Sequence, residues 1–317
     1  MQCTEIGDTQ SKLTYIKHGV PQGSILGPLL FLLYINDIVM SSPVFKFILF
    51  ADDTSLFYSH KNKHDAINIL NAELSKISQW LAANKLSLNV SKSKLLVFSN
   101  QKHDNVNVDT LKLTLNGETL KEVNWAKYLG VLIDNKLSWK NQIDAIKLKL
   151  SKGVGLLAKI RHFVPRSVLR SLYFSFINPH VDYNILNWGM ASPTNLDPID
   201  KKIKKAVRII SFKDSDHPSA PLYKNLKILP LSNSLELRQA KHMWKLINGF
   251  LSPSMSSQFN FNERTGFSIS FSRLVSLQRF ILFTGPITWN QVPDIIKNKS
   301  SLNSFTKFLK IHLLDSI

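Results

Sequence analysis

Two adjacent carboxylates, Asp52 and Asp53, stand between the apolar runs Val44–Phe50 and Thr54–Tyr58. An apolar run, two acids and a second apolar run predict a strand, a tight turn and a returning strand, with both carboxylates at the hairpin tip. Like charges fixed side by side repel each other, and a divalent cation makes such an arrangement favourable. Hard cations such as Mg²⁺ take carboxylate oxygens, and two such ions can clamp a transferring phosphoryl group. Aspartate also fills ordinary turns, so the dipeptide by itself leaves both readings open.

Upstream, Gly19-Val20-Pro21-Gln22-Gly23-Ser24-Ile25-Leu26-Gly27-Pro28 places glycines at four-residue intervals, removing side chains where backbone must come close to something. Pro28 suits the first residue of a helix over Pro28–Met40. Gly-Val-Pro-Gln-Gly-Ser followed by Phe-Ala-Asp-Asp at this separation resembles the palm of a reverse transcriptase, in particular the non-LTR retrotransposon enzymes of the jockey-like group. Further motifs follow in the same order: Leu88-Asn89-Val90-Ser91-Lys92-Ser93-Lys94, then Tyr128-Leu129-Gly130-Val131-Leu132-Ile133-Asp134. Trp188-Gly189 and the run Gly285–Pro293 are similar to the carboxyl-terminal region of those open reading frames, so the resemblance spans essentially the whole chain.

The resemblance implies an RNA-directed DNA polymerase, a nucleotidyltransferase that uses Mg²⁺, or Mn²⁺ in its place, and deoxynucleotides on a DNA primer annealed to an RNA template. It makes Asp52 a metal ligand and Asp53 its supporting acid, and it puts Lys92 near the leaving pyrophosphate. Gln22 and Gly23 would line the incoming nucleotide and templating base, and Tyr128, Leu129 and Gly130 would form the primer-grip hairpin. Each has a plainer reading: a glycine turn with an exposed Gln, a lysine at a strand entrance, an aromatic packed beside a glycine. The family's first catalytic aspartate sits on a strand well upstream of its Pro-Gln-Gly motif. The eighteen residues before Gly19 hold only the acids Glu5 and Asp8, beside the strand-like Leu13–Ile16, and neither acid matches that aspartate. The expectation is a polymerase lacking its fingers and first-aspartate strand, inactive as this polypeptide. The alternative is a non-enzymatic nucleic-acid-binding remnant.

Composition supports a folded, basic protein. The 317 residues carry 44% hydrophobic side chains and a formal net charge of +18. Residues 1–98 are nearly balanced at +2, whereas residues 99–317 hold +16, the distribution expected of a chain that grips phosphate backbone. Lysines on helices also serve simply as a solvated face. Lys201–Arg208 illustrates this, reading either as a nuclear localisation patch or as one side of an amphipathic helix. A single cysteine, Cys3, excludes a disulfide framework and a cysteine zinc site and makes a reducing compartment the default. The amino terminus lacks the basic start and apolar core of a signal peptide, and the longest apolar run, Leu29–Ile35, is too short to span a bilayer. The expectation is a soluble intracellular protein, nuclear or cytoplasmic, with no membrane partner.

The elements needed to position these residues follow from periodicity. Ile67, Leu70, Leu74, Ile77 and Leu81 recur at helical steps and predict a helix over Asp65–Ala83 with one face on a sheet. A strand Lys94–Phe98, a polar loop Asn100–Asp109 and a hairpin Leu111–Leu115/Glu118–Glu122 around Asn116-Gly117 follow, then the strand-rich Trp125–Ile133. Beyond these the pattern is helical: a face of Ile143, Ile146, Leu150, Val154 and Leu157, then Ser167–Phe176, Lys201–Ile210, Leu235–Ile247 and Ser301–Leu314. Prolines 165, 179, 218 and 221 mark breaks, and Trp139 and Trp188 suit core rather than base stacking. The fold class is α+β: a partial polymerase palm over 1–135, an all-helical basic thumb-like domain over 136–250, and a short carboxyl-terminal unit over 251–317.

Overall fold

The structure, a computed structural model, describes residues 1, 3–15, 19–20, 23–99, 112–262, 266–269, 272–274 and 277–317. The chain divides into two compact units, Met1–Val123 and Asn124–Ile317. Both mix helices with small, mostly antiparallel sheets.

The first unit opens with the short hairpin β1 (Glu5–Ile6) and β2 (Thr9–Gln10), followed by helix α1 (Leu26–Ile35). Ser24 Oγ accepts the Gly27 N–H at 3.1 Å, so the helix starts two residues before Pro28. Pro28 is tolerated there because the first turn's N–H groups have no intrahelical partner in any case. The helix ends at Ile35 and passes into a 3₁₀ turn over Asn36–Ser41, shorter than the Pro28–Met40 expectation at its carboxyl end.

Strands β3 (Lys46–Phe50) and β4 (Asp53–Phe57) pair antiparallel, with Phe50 opposite Asp53 and Phe47 opposite Leu56. Phe47, Leu49 and Leu56 turn inward. They join a core in which Leu74, Ile77 and Leu81 of α2 (Lys63–Ala83) pack with Ile38, Leu113 and Leu115. The three- and four-residue spacing of α2 thus identified its buried stripe correctly.

The strand expected over Lys94–Phe98 is only β5 (Lys94–Leu95). Its partner is the parallel β8 (Lys121–Glu122), which continues from the hairpin β6 (Thr114–Leu115) and β7 (Glu118–Thr119). Asn116 and Gly117 both have positive φ, 53° and 80°, as a primed two-residue turn requires. The Asn100–Asp109 loop lies outside the described residues.

The second unit begins with hairpin β9 (Trp125–Tyr128) and β10 (Val131–Asp134). Helices follow: α3 (Lys140–Ile160), α4 (Arg166–Phe176), α5 (Asn178–Asp182), α6 (Ile185–Trp188), α7 (Pro193–Ile210), α8 (Ala220–Leu226) and α9 (Leu231–Ile247). After α10 (Pro253–Ser256) and the strand pair β11 (Phe261–Asn262) and β12 (Gly266–Phe267) come α11 (Ile281–Gln291), α12 (Asp294–Lys297) and α13 (Leu302–Asp315). One core runs through α3, α4, α5 and α7, with Trp188, Leu169 and Ile199 fully enclosed. Trp139 is buried in the same core, as expected of a packing residue rather than a base-stacking one.

A second core joins α9 to Trp289, Phe305 and Leu309, so α11 and α13 pack on α9 within this unit. Helix α7 starts eight residues before Lys201. Ser192 caps it by accepting the Asn195 N–H at 3.3 Å, Pro193 occupies its first turn, and Pro198 is accommodated inside. No helix among the described residues is long and apolar enough to cross a membrane.

Candidate functional site

Ala51 and Asp52 form a two-residue loop closed by the Phe50–Asp53 pair, so both acids lie at the tip of the β3–β4 hairpin. Ala51 takes φ 50°, a conformation that favours glycine and costs an L side chain on the order of 1 kcal/mol. Backbone strain of this kind persists where surroundings or function demand a fixed geometry. Both carboxylates are exposed, and neither makes a hydrogen bond or ion pair among the described residues. Phe50, Asp53, Ser55 and Phe57 share the outer face of the hairpin because directly paired residues point to the same side.

Glu73 shows what a committed acid looks like in this unit. Its carboxylate accepts from Lys76 Nζ at 2.6 Å and from Ser42, and these bonds hold it below the usual carboxylate range. Asp52 and Asp53 are left free for an external partner. Among the described residues no group of three or more His, Cys, Asp and Glu side chains is arranged to hold a metal ion. Two unpartnered carboxylates on one turn fit the donor chemistry of a hard cation, which commonly takes one or two protein carboxylates.

Gln22 lies outside the described residues. Gly23 is exposed and has φ 81°, with nothing within 4 Å of where a Cβ would stand. Its need for glycine therefore comes from backbone conformation rather than local crowding. Lys92 ends a 3₁₀ turn, Val90–Lys92, in which its backbone N–H donates to Asn89 Oδ1 at 3.1 Å, and its side chain is exposed.

In the second unit, Leu129 and Gly130 form the β9–β10 turn with φ 45° and 82°. Tyr183 donates its hydroxyl to the Leu129 carbonyl at 2.6 Å, and a Cβ on Gly130 would stand 3.4 Å from the Tyr183 hydroxyl oxygen. Asp134 was legible only as the end of the Tyr128–Asp134 motif. It is buried and accepts the N–H groups of Lys136, Ser138 and Trp139 at 3.1, 2.9 and 2.8 Å, fixing the loop that carries Trp139 at φ 63° into α3. Gln142 of α3 accepts the Leu132 N–H at 2.9 Å, tying the hairpin to the helices. A buried acid two residues before a loop N–H is a signal for this role, because Asp side chains cap their own following backbone.

The second unit holds 28 lysines and arginines against 11 acids, net +17. Lys201 and Lys204 are paired within α7 to Asp197 and Asp200 at 2.6 Å, which favours the solvated-helix reading of Lys201–Arg208. On α3, Gly153 is demanded by packing, since a Cβ there would stand 2.8 Å from Ile177. Gly155 has open space around it and is flanked by exposed Lys152 and Lys159.

Residues 2–133 match the family model described as reverse transcriptase (RNA-dependent DNA polymerase). Among curated proteins, the chain is 27% identical over 231 residues to the probable RNA-directed DNA polymerase from transposon X-element of Drosophila melanogaster, covering 71% of this chain and 25% of that protein. It is 26% identical over 249 residues to the RNA-directed DNA polymerase from mobile element jockey of the same species, covering 75% and 26%. Residues 2–133 thus match a reverse transcriptase domain, and the chain is similar to RNA-directed DNA polymerases of jockey-like, non-LTR elements. A polyprotein from type-1 retrotransposable element R1 2 of Nasonia vitripennis is 25% identical over 182 residues, covering 54% of this chain and 43% of that protein. The chain spans about a quarter of the length of the first two relatives. No solved structure gives a significant match. The family match covers the acid-pair hairpin and the β9–β10 turn, whereas the similarity to the X-element and jockey proteins extends over most of the chain.

Proposed function

We propose that the chain supplies the Asp-pair part of a reverse transcriptase palm together with a basic helical region that grips the primer–template, in RNA-directed DNA synthesis. The observation that carries this reading is the unpartnered Asp52–Asp53 pair on a strained two-residue turn, inside the stretch that matches the reverse transcriptase family. Asp52 and Asp53 would hold Mg²⁺ or Mn²⁺, which when bound neutralises charge on the transferring phosphoryl group and orients it. Gly23 keeps backbone open toward a nucleotide, with Gln22 lining the templating base, and exposed Lys92 is available to the pyrophosphate leaving group. The Tyr128–Gly130 turn, fixed by Tyr183, presents a rigid edge to a primer strand. Phosphoryl transfer is mostly positioning and charge neutralisation, so these are the tasks side chains must perform.

The grip is assigned to α3. An exposed mid-helix glycine costs about 1 kcal/mol relative to alanine and internal packing does not require Gly155. Its value is close approach of a sugar–phosphate backbone, with Lys152 and Lys159 on the adjacent turns to neutralise phosphates.

The excess charge also favours a second reading, a nucleic-acid-binding protein without polymerase activity. Two assays on residues 1–317 test these readings. Binding to an RNA–DNA duplex should fall on the order of a hundredfold or more from low to physiological salt if about five phosphates are neutralised. Reversing charge at Lys147, Lys149, Lys152, Lys159, Arg161 and Arg166 should flatten that dependence. Primer extension by this polypeptide should be absent with Mg²⁺ or Mn²⁺, because the acid pair by itself is one half of the carboxylate clamp that the chemistry requires. Template-dependent incorporation lost in Asp52→Ala would show that another acid completes the site. Weak binding at every salt concentration would sink both readings.

A further inference from the structure

Arg170 and Phe174 of α4, Asp182 of α5, Arg238 and Lys241 of α9 and Lys310 of α13 come together in the second unit from positions far apart in sequence. The Arg170 guanidinium lies 4.8 Å from the Phe174 ring centroid, and Lys310 Nζ lies 5.5 Å from the same centroid. Arg170 Nε donates to the Leu226 carbonyl at 2.6 Å, which fixes the guanidinium plane, and among the described residues its terminal nitrogens have no acceptor. Arg238 pairs with Asp182 Oδ2 at 2.6 Å, and Asn178 Nδ2 donates to that oxygen at 2.7 Å. Lys241 stands three residues beyond Arg238, on the same side of α9.

Among the described residues Asp182 is the one acid acting on Lys241 and on Lys310, and Arg238 already occupies it. Burial and then the neighbouring Arg238 and Lys245 hold Lys241 below the ordinary lysine range; burial and then Arg170 do the same to Lys310. Half-buried cations that repel one another are costly to assemble, and the fold keeps them together with one carboxylate among them. A multiply charged anion would relieve that repulsion, and a guanidinium and an ammonium meeting at the Phe174 ring suit phosphate oxygens, with Lys241 one turn from the Arg238 that pairs with Asp182.

We propose that Arg170, Lys241 and Lys310, held by Phe174 and by the Arg238–Asp182 pair, form a phosphate-binding site. The phosphate belongs either to a nucleic-acid backbone or to free pyrophosphate. As a nucleic-acid contact the site rests on the grip assigned above; as a pyrophosphate site it stands without it.

The test is NMR of lysine side-chain ammonium groups in the full chain, titrated separately with metal-free pyrophosphate and with an RNA–DNA duplex. Saturable shifts of the Lys241 and Lys310 signals, larger than those of Lys202 and Lys205, are expected with pyrophosphate. The duplex should produce the same shifts. A Lys241→Met/Lys310→Met variant should then lose about tenfold in duplex affinity, and its salt slope should fall by about 2.

Shifts with pyrophosphate but not with a duplex that binds elsewhere would assign the site to a free phosphate. Shifts with pyrophosphate from a chain that binds no duplex would uphold the site and overturn the grip. Signals of Lys241 and Lys310 that move with neither titrant, or no more than those of Lys202 and Lys205, would overturn the site. The wild-type titration decides even if the double variant fails to fold.

Discussion

The hairpin carrying Asp52 and Asp53 stands on a sparsely covered unit, whereas the hairpin carrying Tyr128–Gly130 is fastened by Tyr183, Gln142 and the helices behind it. The same contrast runs through the helices. Helix α1 is apolar around its circumference, yet only Ile35 is buried, and Leu26 and Leu33 are 60% and 69% exposed. Helix α3 buries a continuous stripe from Ile143 to Leu157 and leaves its other side charged. A helix apolar all round belongs to an interior, and an amphipathic one to a surface. The second unit therefore holds its own fold, while the first displays a surface with the composition of a core.

The sharpest way to break that contrast is to empty each region's packing. Trp188→Ala, in the fully enclosed core, should destabilise the second unit by about 3–5 kcal/mol in urea unfolding followed by far-UV circular dichroism. Leu30→Ser with Leu33→Ser on α1 should leave stability within about 0.5 kcal/mol and reduce binding of a hydrophobic dye. A large loss from the α1 pair would mean that the face is covered after all.

Within α3, Gly153→Ala should cost about 1–3 kcal/mol, because its Cβ would stand 2.8 Å from Ile177 and 3.3 Å from the Phe176 carbonyl. Gly155→Ala should stabilise by about 0.5–1 kcal/mol while weakening duplex binding. Equal effects at the two glycines would remove the distinction drawn between packing and approach.

The hairpin tips respond in opposite directions. Tyr183→Phe removes the bond to Leu129 and should cost about 1 kcal/mol. Ala51→Gly relieves a positive φ and should stabilise by about 0.5–1 kcal/mol.

The smallest effect is on pH. Burial, and secondarily Lys245, keeps the His242 pKa below its ordinary value, and its Nε2 has no partner among the described residues. The unfolded chain binds the proton first, so stability should fall as pH drops through about 6.5 and should be insensitive above about 7.5. His242→Phe should flatten that dependence in unfolding measured at pH 5 and 7.

Much of the acid-pair region was legible because its determinants are local. Alternation around Asp52 and Asp53 marked the hairpin, Asn116-Gly117 marked a primed turn, and a five-residue stripe marked α2. What escaped depends on distant contacts or on context that overrides local preference. The helix expected over Lys201–Ile210 begins at Pro193 and takes in Pro198, where a Ser192 cap and a buried face outweigh the proline's lost hydrogen bond. Tyr183 is 54 residues from the carbonyl it holds, and Arg170 and Lys310 meet at one ring across most of the unit. Residues 124–134 read as the end of the mixed α/β part, but their hairpin groups with the helices because Leu132 and Leu129 bond to α3 and Tyr183. The Gln22 expectation falls outside the described residues.

In the proposed function Asp52 and Asp53 together hold the metal ion. Paramagnetic broadening by Mn²⁺ in ¹⁵N-labelled protein reads it without requiring catalysis. Broadening should centre on Phe50–Thr54 and disappear when Asp52→Asn and Asp53→Asn are combined. Broadening centred on another acid, or unchanged in the double variant, would contradict it.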